Sequence, residues 1–138
     1  MAMDIREATN KLYEMMNSGD TSKLDEVMDP NLVDHEKISG VESSGSQAFR
    51  DFVSLFRSAI TDFRITANDV LIDGERAAIR FTLSGRHTGD QLGMPATGKP
   101  FSIEGIDIMR FENGKCVEHW GVSDQLGMMA QLGLVPAP

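Results

Sequence analysis

Apolar residues recur at helical spacing in the first third of the chain and then alternate with polar ones, a change of period that divides the sequence into helices followed by strands. Ile5, Ala8, Leu12, Met15 and Met16 mark one helical face, with Asp4 and Glu7 at the start as a cap and its reciprocal acid and Gly19 as the stop. A shorter helix carrying Leu24, Val27 and Met28 is expected to end before Asp29-Pro30, because proline disfavours the α conformation in the residue ahead of it. "NLVDHE" then reads as a short extended piece. A third helix is expected to take its cap from Ser44 to Ser46 and to carry Phe49, Phe52, Val53, Phe56 and Ile60 along one side.

From Phe63 onward the period is that of strands. "FRITANDVLI" turns at Asp73-Gly74 into "RAAIRFTLSGRH", a hairpin. "GDQLGMPATGKP" is a loop by its glycines and prolines, and "EGIDIMRFENGKCVEHWGV" is a second hairpin. The end, "DQLGMMAQLGLVPAP", reads as a short amphipathic helix with a frayed tail placed to close over one end of the fold. Three helices followed by about four long antiparallel strands predict an α+β domain with helices packed on one face of a curved sheet. No repeat or linker divides residues 1–138, so one domain is expected.

The last hairpin holds the candidate chemistry, and its register decides what that chemistry is, since a slip of one residue reverses every side chain. A two-residue turn at Asn113-Gly114 sets Asp107 opposite Trp120. A three-residue loop, Glu112-Asn113-Gly114, sets Asp107 directly opposite His119, with Ile103, Gly105, Met109, Phe111, Val117 and Gly121 sharing their face. The second register is preferred, because the first buries Glu118 and Asp124 beside Asp107 and stacks three carboxylates on the face that has to be dry. A carboxylate and an imidazole about 5 Å apart at Cβ in apolar surroundings are either a cross-strand pair that fixes register or an acid/base pair. Gly105 and Gly121 leave space beside them for a ligand, which favours the acid/base reading.

Composition narrows the partners. With 21 acidic and 13 basic residues the net charge is −8, the wrong sign for nucleic acid. No apolar run is long enough to span a bilayer and the start lacks a basic leader, so no membrane association is expected. Cys116 is the lone cysteine, which excludes an intramolecular disulfide and suits a cytoplasmic protein. His35, His87 and His119 lie far apart without metal-ligand spacing, and the glycines near residues 85–98 precede a strand rather than a helix, so neither a metal nor a phosphate-bearing cofactor is expected.

"SGRHTGDQLGMPATGKPFSIEGIDIMRFENGKCVEHWGVSDQLGMMAQLG", together with "VDHE" at residues 33–36 and the aromatic third helix, resembles the SnoaL-like polyketide cyclases of the nuclear transport factor 2-like superfamily. The resemblance implies a cone-shaped α+β barrel. In it a curved, mostly antiparallel sheet is wrapped by three N-terminal helices around one deep apolar pocket, often in a homodimer formed through the outer sheet face. It implies ring closure by intramolecular aldol condensation with no cofactor, using an aspartate on the last strand and a histidine on the strand beside it. Those two positions fall on Gly121 and Asp107, so this chain carries a different pair.

The expected catalytic residues are therefore Asp107, His119 and His35, the last placed at the pocket rim by the likeness of "VDHE". Either Asp107 orients His119 as the base, or Asp107 is the base and His119 donates to the developing oxyanion. The expected substrate-binding set is Tyr13, Phe52, Phe56, Leu92, Met94, Gly105, Met109 and Gly121, around a hydrophobic small molecule. Proton abstraction beside a carbonyl, leading to aldol closure, isomerisation or dehydration, is the expected reaction. A binding protein that holds such a molecule unchanged, or a scaffold with a filled core, are the competing readings. Exposed Ile106, Ile108, Trp120 and Val122 would make the outer sheet face a dimer contact.

Overall fold

The computed structural model describes residues 3–136. Helix α1 spans Ile5–Ser18, with the Asp4 carboxylate accepting from the backbone N–H groups of Arg6 and Glu7 and Gly19 closing the helix in the left-handed conformation. Only a 3-10 turn, Leu24–Glu26, stands where the second helix was expected, and Met28 already belongs to strand β1, Met28–Asp34. Asp29-Pro30 is thus strand and not a helix boundary. Proline is tolerated because β1 is an edge strand, where a missing ladder donor costs little.

Helix α2 spans Ser46–Ala59 behind Gly45, with no side chain capping its start; the Ser43 hydroxyl donates instead to Asp51 one turn into the helix. Strands β2 (Ile60–Asp73), β3 (Arg76–His87), β4 (Pro100–Glu112) and β5 (Lys115–Ser123) follow, then helix α3, Gln125–Gln131. Two helices and a single turn therefore precede the four antiparallel strands, with β1 between the turn and α2, and the third helix follows them. The expected frayed tail falls partly on residues 137–138, outside the described residues.

The sheet runs β1-β5-β4-β3-β2, antiparallel except for the parallel β1–β5 pair, and it is open rather than a closed barrel. Two irregularities in β2 bend it, one between Thr61 and Arg64 and one between Ala67 and Asp69. Burial alternates along the strands as a one-sided core requires: Ala77, Ile79, Phe81 and Leu83 on β3 and Phe101, Ile103, Met109 and Phe111 on β4 are buried. Leu12, Tyr13 and Met16 of α1 close over this face. Each such large apolar side chain contributes about 1.5–3 kcal/mol by leaving water.

The β4–β5 register combines parts of both expected turns. Asn113 and Gly114 have φ of 51° and 77° and Glu112 pairs with Lys115, the geometry of a two-residue type I′ turn. The extra residue sits in the strand and not in the loop: Phe111 pairs with Cys116 but Arg110 pairs with Glu118, so Val117 is bulged. Asp107 consequently lies opposite Gly121, and His119 lies opposite Met109. The bulge restores the parity that the turn alone would have lost, so Asp107 and His119 share the inner face as diagonal neighbours while Glu118 turns outward.

Candidate active site

Four elements deliver polar side chains to one spot on the inner face. From β4, Asp107 accepts two hydrogen bonds: Tyr13 Oη on α1 donates to its Oδ2 at 2.6 Å, and His119 Nε2 on β5 donates to its Oδ1 at 2.8 Å. The other ring nitrogen, His119 Nδ1, meets Asp34 Oδ1 at the end of β1, also at 2.8 Å. Glu36, two residues further along the same extended segment, brings a third carboxylate. Its Oε1 lies 2.5 Å from where a Cβ at Gly121 would stand, and Asp107 Oδ1 is 2.9 Å from that point. Gly121 is therefore the vacancy that lets the two carboxylates approach. The side chains of Asp107 and His119 are 14% and 16% exposed, so the cluster is largely dry yet reachable.

The parallel pairing of β1 with β5 explains why this segment contributes twice. His35 N–H donates to the carbonyl of His119 and Asp34 lies beside His119 in register, which holds the chain extended through residue 36. Side chains then alternate, Asp34 and Glu36 inward and His35 outward. His35 accordingly does not join the other two candidates. Its Nε2 is 2.7 Å from Glu118 and its ring stacks on Trp120 at 4.9 Å, on the opposite face of the sheet. The alternation of "VDHE" is the signal that names Asp34 and Glu36, once the frame is known.

The electrostatics follow from these contacts. Burial lowers the His119 pKa, but hydrogen bonds and charge from Asp107 and Asp34 outweigh it and lift the group to about 10, so the ring is an imidazolium with both N–H groups committed. That removes His119 as a base at neutral pH. Burial and the Asp107 hydrogen bond push the Tyr13 hydroxyl above the ordinary phenol range, so it stays a donor. Glu36 is pushed up as well, by burial first and by Asp107 and Asp34, against the opposing pull of His119.

Glu36, Asp107 and His119 place ligand atoms within 4.8 Å of one another, close enough to hold a metal ion. A cation there would have to displace the proton that His119 Nε2 donates to Asp107, and the arrangement as it stands is satisfied by that proton.

The remaining candidates are placed as follows. Met109 is core, 5% exposed. The space left by Gly105 is taken by the Phe81 ring, not left for a ligand. Phe52 and Phe56 form a tilted pair at 4.6 Å, half-buried against the core. Leu92 packs on the core and Met94 is half-buried, while Pro95 of the same 88–99 loop is exposed. Grooves of about 310 and 290 Å3 beside Arg50 and Arg57 and beside Lys11 and Glu14 share no residue with the cluster; converging polar groups, not surface concavity, mark the site.

This fold has relatives. The model of the SnoaL-like polyketide cyclases matches residues 6–132. The chain belongs to that family. It is 31% identical over 129 residues to aklanonic acid methyl ester cyclase DauD of Streptomyces sp. (strain C5), covering 89% of this chain and 78% of that protein. It is 30% identical over 124 residues to nogalonic acid methyl ester cyclase of Streptomyces nogalater, covering 88% and 92%. Among solved structures, TsrD from Streptomyces laurentii superposes with a TM-score of 0.84 at 32% identity, over 96% of this chain and 99% of that one. IdmH from Streptomyces antibioticus gives 0.83 at 28%, over 95% and 99%. As a SnoaL-like polyketide cyclase the chain is an enzyme of the ring-closing type, acting on a small molecule. No helix among the described residues is long and apolar enough to cross a membrane.

Proposed function

We propose that this protein closes a carbocycle in a polycyclic polyketide ester of the aklanonic acid methyl ester kind by intramolecular aldol addition, without a cofactor. The observation that supports this most directly is the five-group cluster of Tyr13, Asp34, Glu36, Asp107 and His119, because aldol closure needs one group to take a proton from carbon and return it to oxygen in a water-poor setting. The C–H bond next to one carbonyl breaks and its electron pair forms an enolate. That carbon adds to a second carbonyl, whose π pair becomes an alkoxide, and the alkoxide takes back the proton. The fixed imidazolium of His119 lowers the cost of negative charge at each stage through its field, and Asp34, Asp107 and Tyr13 hold it in place.

Half-buried Phe52 and Phe56 on α2 offer flat apolar surface for a polycyclic ligand, and Leu92 and Met94 line its approach in this reading. The described residues act as one domain. The protein pairs with a second copy through the outer sheet face, where Val33, Ile106, Ile108 and Val122 are between 37% and 69% exposed around Trp120. Sedimentation at micromolar concentration is expected to give a dimer for the native chain and a monomer for Val122→Glu.

The test of function is incubation of the protein with aklanonic acid methyl ester in D2O. Ring closure and deuterium incorporation beside the reacting carbonyl are expected for the native chain, and a loss of at least 100-fold for Asp107→Asn, which discharges the anchor of His119. Absence of both closure and exchange in the native protein would rule the function out.

A further inference from the structure

We infer that Glu36 is the group that carries the proton, and that Gly121 makes the room it needs. This rests on the aldol-type reading above and assigns its acid/base residue.

Three of the four other members are committed at every side-chain polar atom, and Asp34 at one of its two oxygens. Asp107 accepts from Tyr13 and His119 on its two oxygens, Asp34 Oδ1 accepts from His119 Nδ1 and from the Glu36 backbone N–H, the Tyr13 hydroxyl is spent on Asp107, and both ring nitrogens of His119 donate to carboxylates. Glu36 alone has a carboxylate to which no side chain or backbone group donates among the described residues, although it lies within 4.8 Å of both Asp107 and His119. A base must have a lone pair free to meet a C–H bond, and it must be held where desolvation weakens its charge and the proton is returned readily. Glu36 meets both conditions, and its raised pKa points the same way.

Its position is made by an absence. A Cβ at residue 121 would stand 2.5 Å from Glu36 Oε1 and 2.9 Å from Asp107 Oδ1, closer than non-bonded atoms tolerate. With any side chain at 121, the carboxylates of Glu36 and Asp107 have to shift from these positions. A side chain on β5 at 121 and the carboxylate from the end of β1 would contend for one space, and in this chain the second fills it.

In the reaction, one Glu36 oxygen forms an O–H bond as the substrate C–H breaks, leaving the electron pair on the enolate. After the new C–C bond has formed, the same O–H protonates the alkoxide and Glu36 is again a carboxylate.

The experiment follows deuterium exchange and ring closure of aklanonic acid methyl ester with native protein, Glu36→Gln, Gly121→Ala, Glu36→Ala and the double variant Glu36→Ala/Gly121→Asp, with urea midpoints as fold controls. Glu36→Gln keeps the volume and is expected to lower kcat at least 100-fold with little change in KM. Gly121→Ala leaves every polar group intact and is expected to lose at least tenfold by displacing Glu36. The double variant, which puts a carboxylate into the vacated space from β5, is expected to regain at least tenfold over Glu36→Ala. Folded Glu36→Gln that exchanges within threefold of native protein overturns the inference while leaving the function standing. A native protein that shows neither exchange nor closure overturns the function, and this inference with it.

Discussion

Raising the pH from about 6 to about 10 removes a stabilising charge from beneath α1. His119 is lifted from 6.5 to about 10 in the folded protein by its bonds to Asp107 and Asp34. Below about 6.5 both folded and unfolded chains hold the proton and the full stabilisation is present. Between the two values the folded chain keeps a proton that the unfolded chain has released, so stability falls with rising pH, and it is lost as pH passes through about 10. The shift corresponds to a ceiling of roughly 5 kcal/mol at 1.36 kcal/mol per pKa unit. Removing one partner from a buried ion pair costs about 3–5 kcal/mol by an independent route, and the two agree because His119 is only 16% exposed. The assay is urea unfolding of native protein and His119→Gln across this pH range, since urea adds no ionic screening. A gap of about 3–5 kcal/mol between the two proteins near pH 6 is expected to close towards zero near pH 10. A gap that stays constant would show that His119 carries no extra proton in the folded state, and the account of the cluster would fall.

Tyr13→Phe removes the donor on Asp107 Oδ2 and is expected to cost about 1.5–3 kcal/mol, the range for a hydrogen bond to a charged group, read from the urea midpoint. Gly105→Ala drives a methyl into the Phe81 ring and to 2.7 Å from the Val122 carbonyl, so it is expected to cost about 1–3 kcal/mol through overpacking, visible as a lowered Tm. His35→Ala is expected to leave ring closure within about twofold of native and to change stability by less than about 1 kcal/mol, because the His35–Glu118 pair is a half-exposed contact on the far face. A large loss of rate in that variant would return His35 to the site.

The pattern of residues was enough to place α1, α2, the two long hairpins and α3, because those segments are long and their periods are unambiguous. It misread Leu24–Met28 as a helix, since three apolar residues at helical spacing also suit a turn leading into a strand. Alternation with the type I′ turn at Asn113-Gly114 would have sent His119 outward. Only the bulge at Val117 brings it in, and nothing in "GKCVEHW" announces a bulge. The pairing of Asp107 with His119 was reached through the right face and the wrong partner register.

Sequence alone set the expectation of an acid and an imidazole on neighbouring strands of an α+β sheet, with glycines beside them. Tertiary structure decided which groups meet, because the partners of Asp107 and His119 come from segments about 90 residues away, Tyr13 on α1 and Asp34 and Glu36 beside β5. A strand's side chains alternate whatever lies beside it, but which face points inward depends on the neighbouring strand. "VDHE" could therefore present either His35 or its two acids to the core. The hydrogen bond from His35 N–H to the His119 carbonyl fixes that frame and selects the acids.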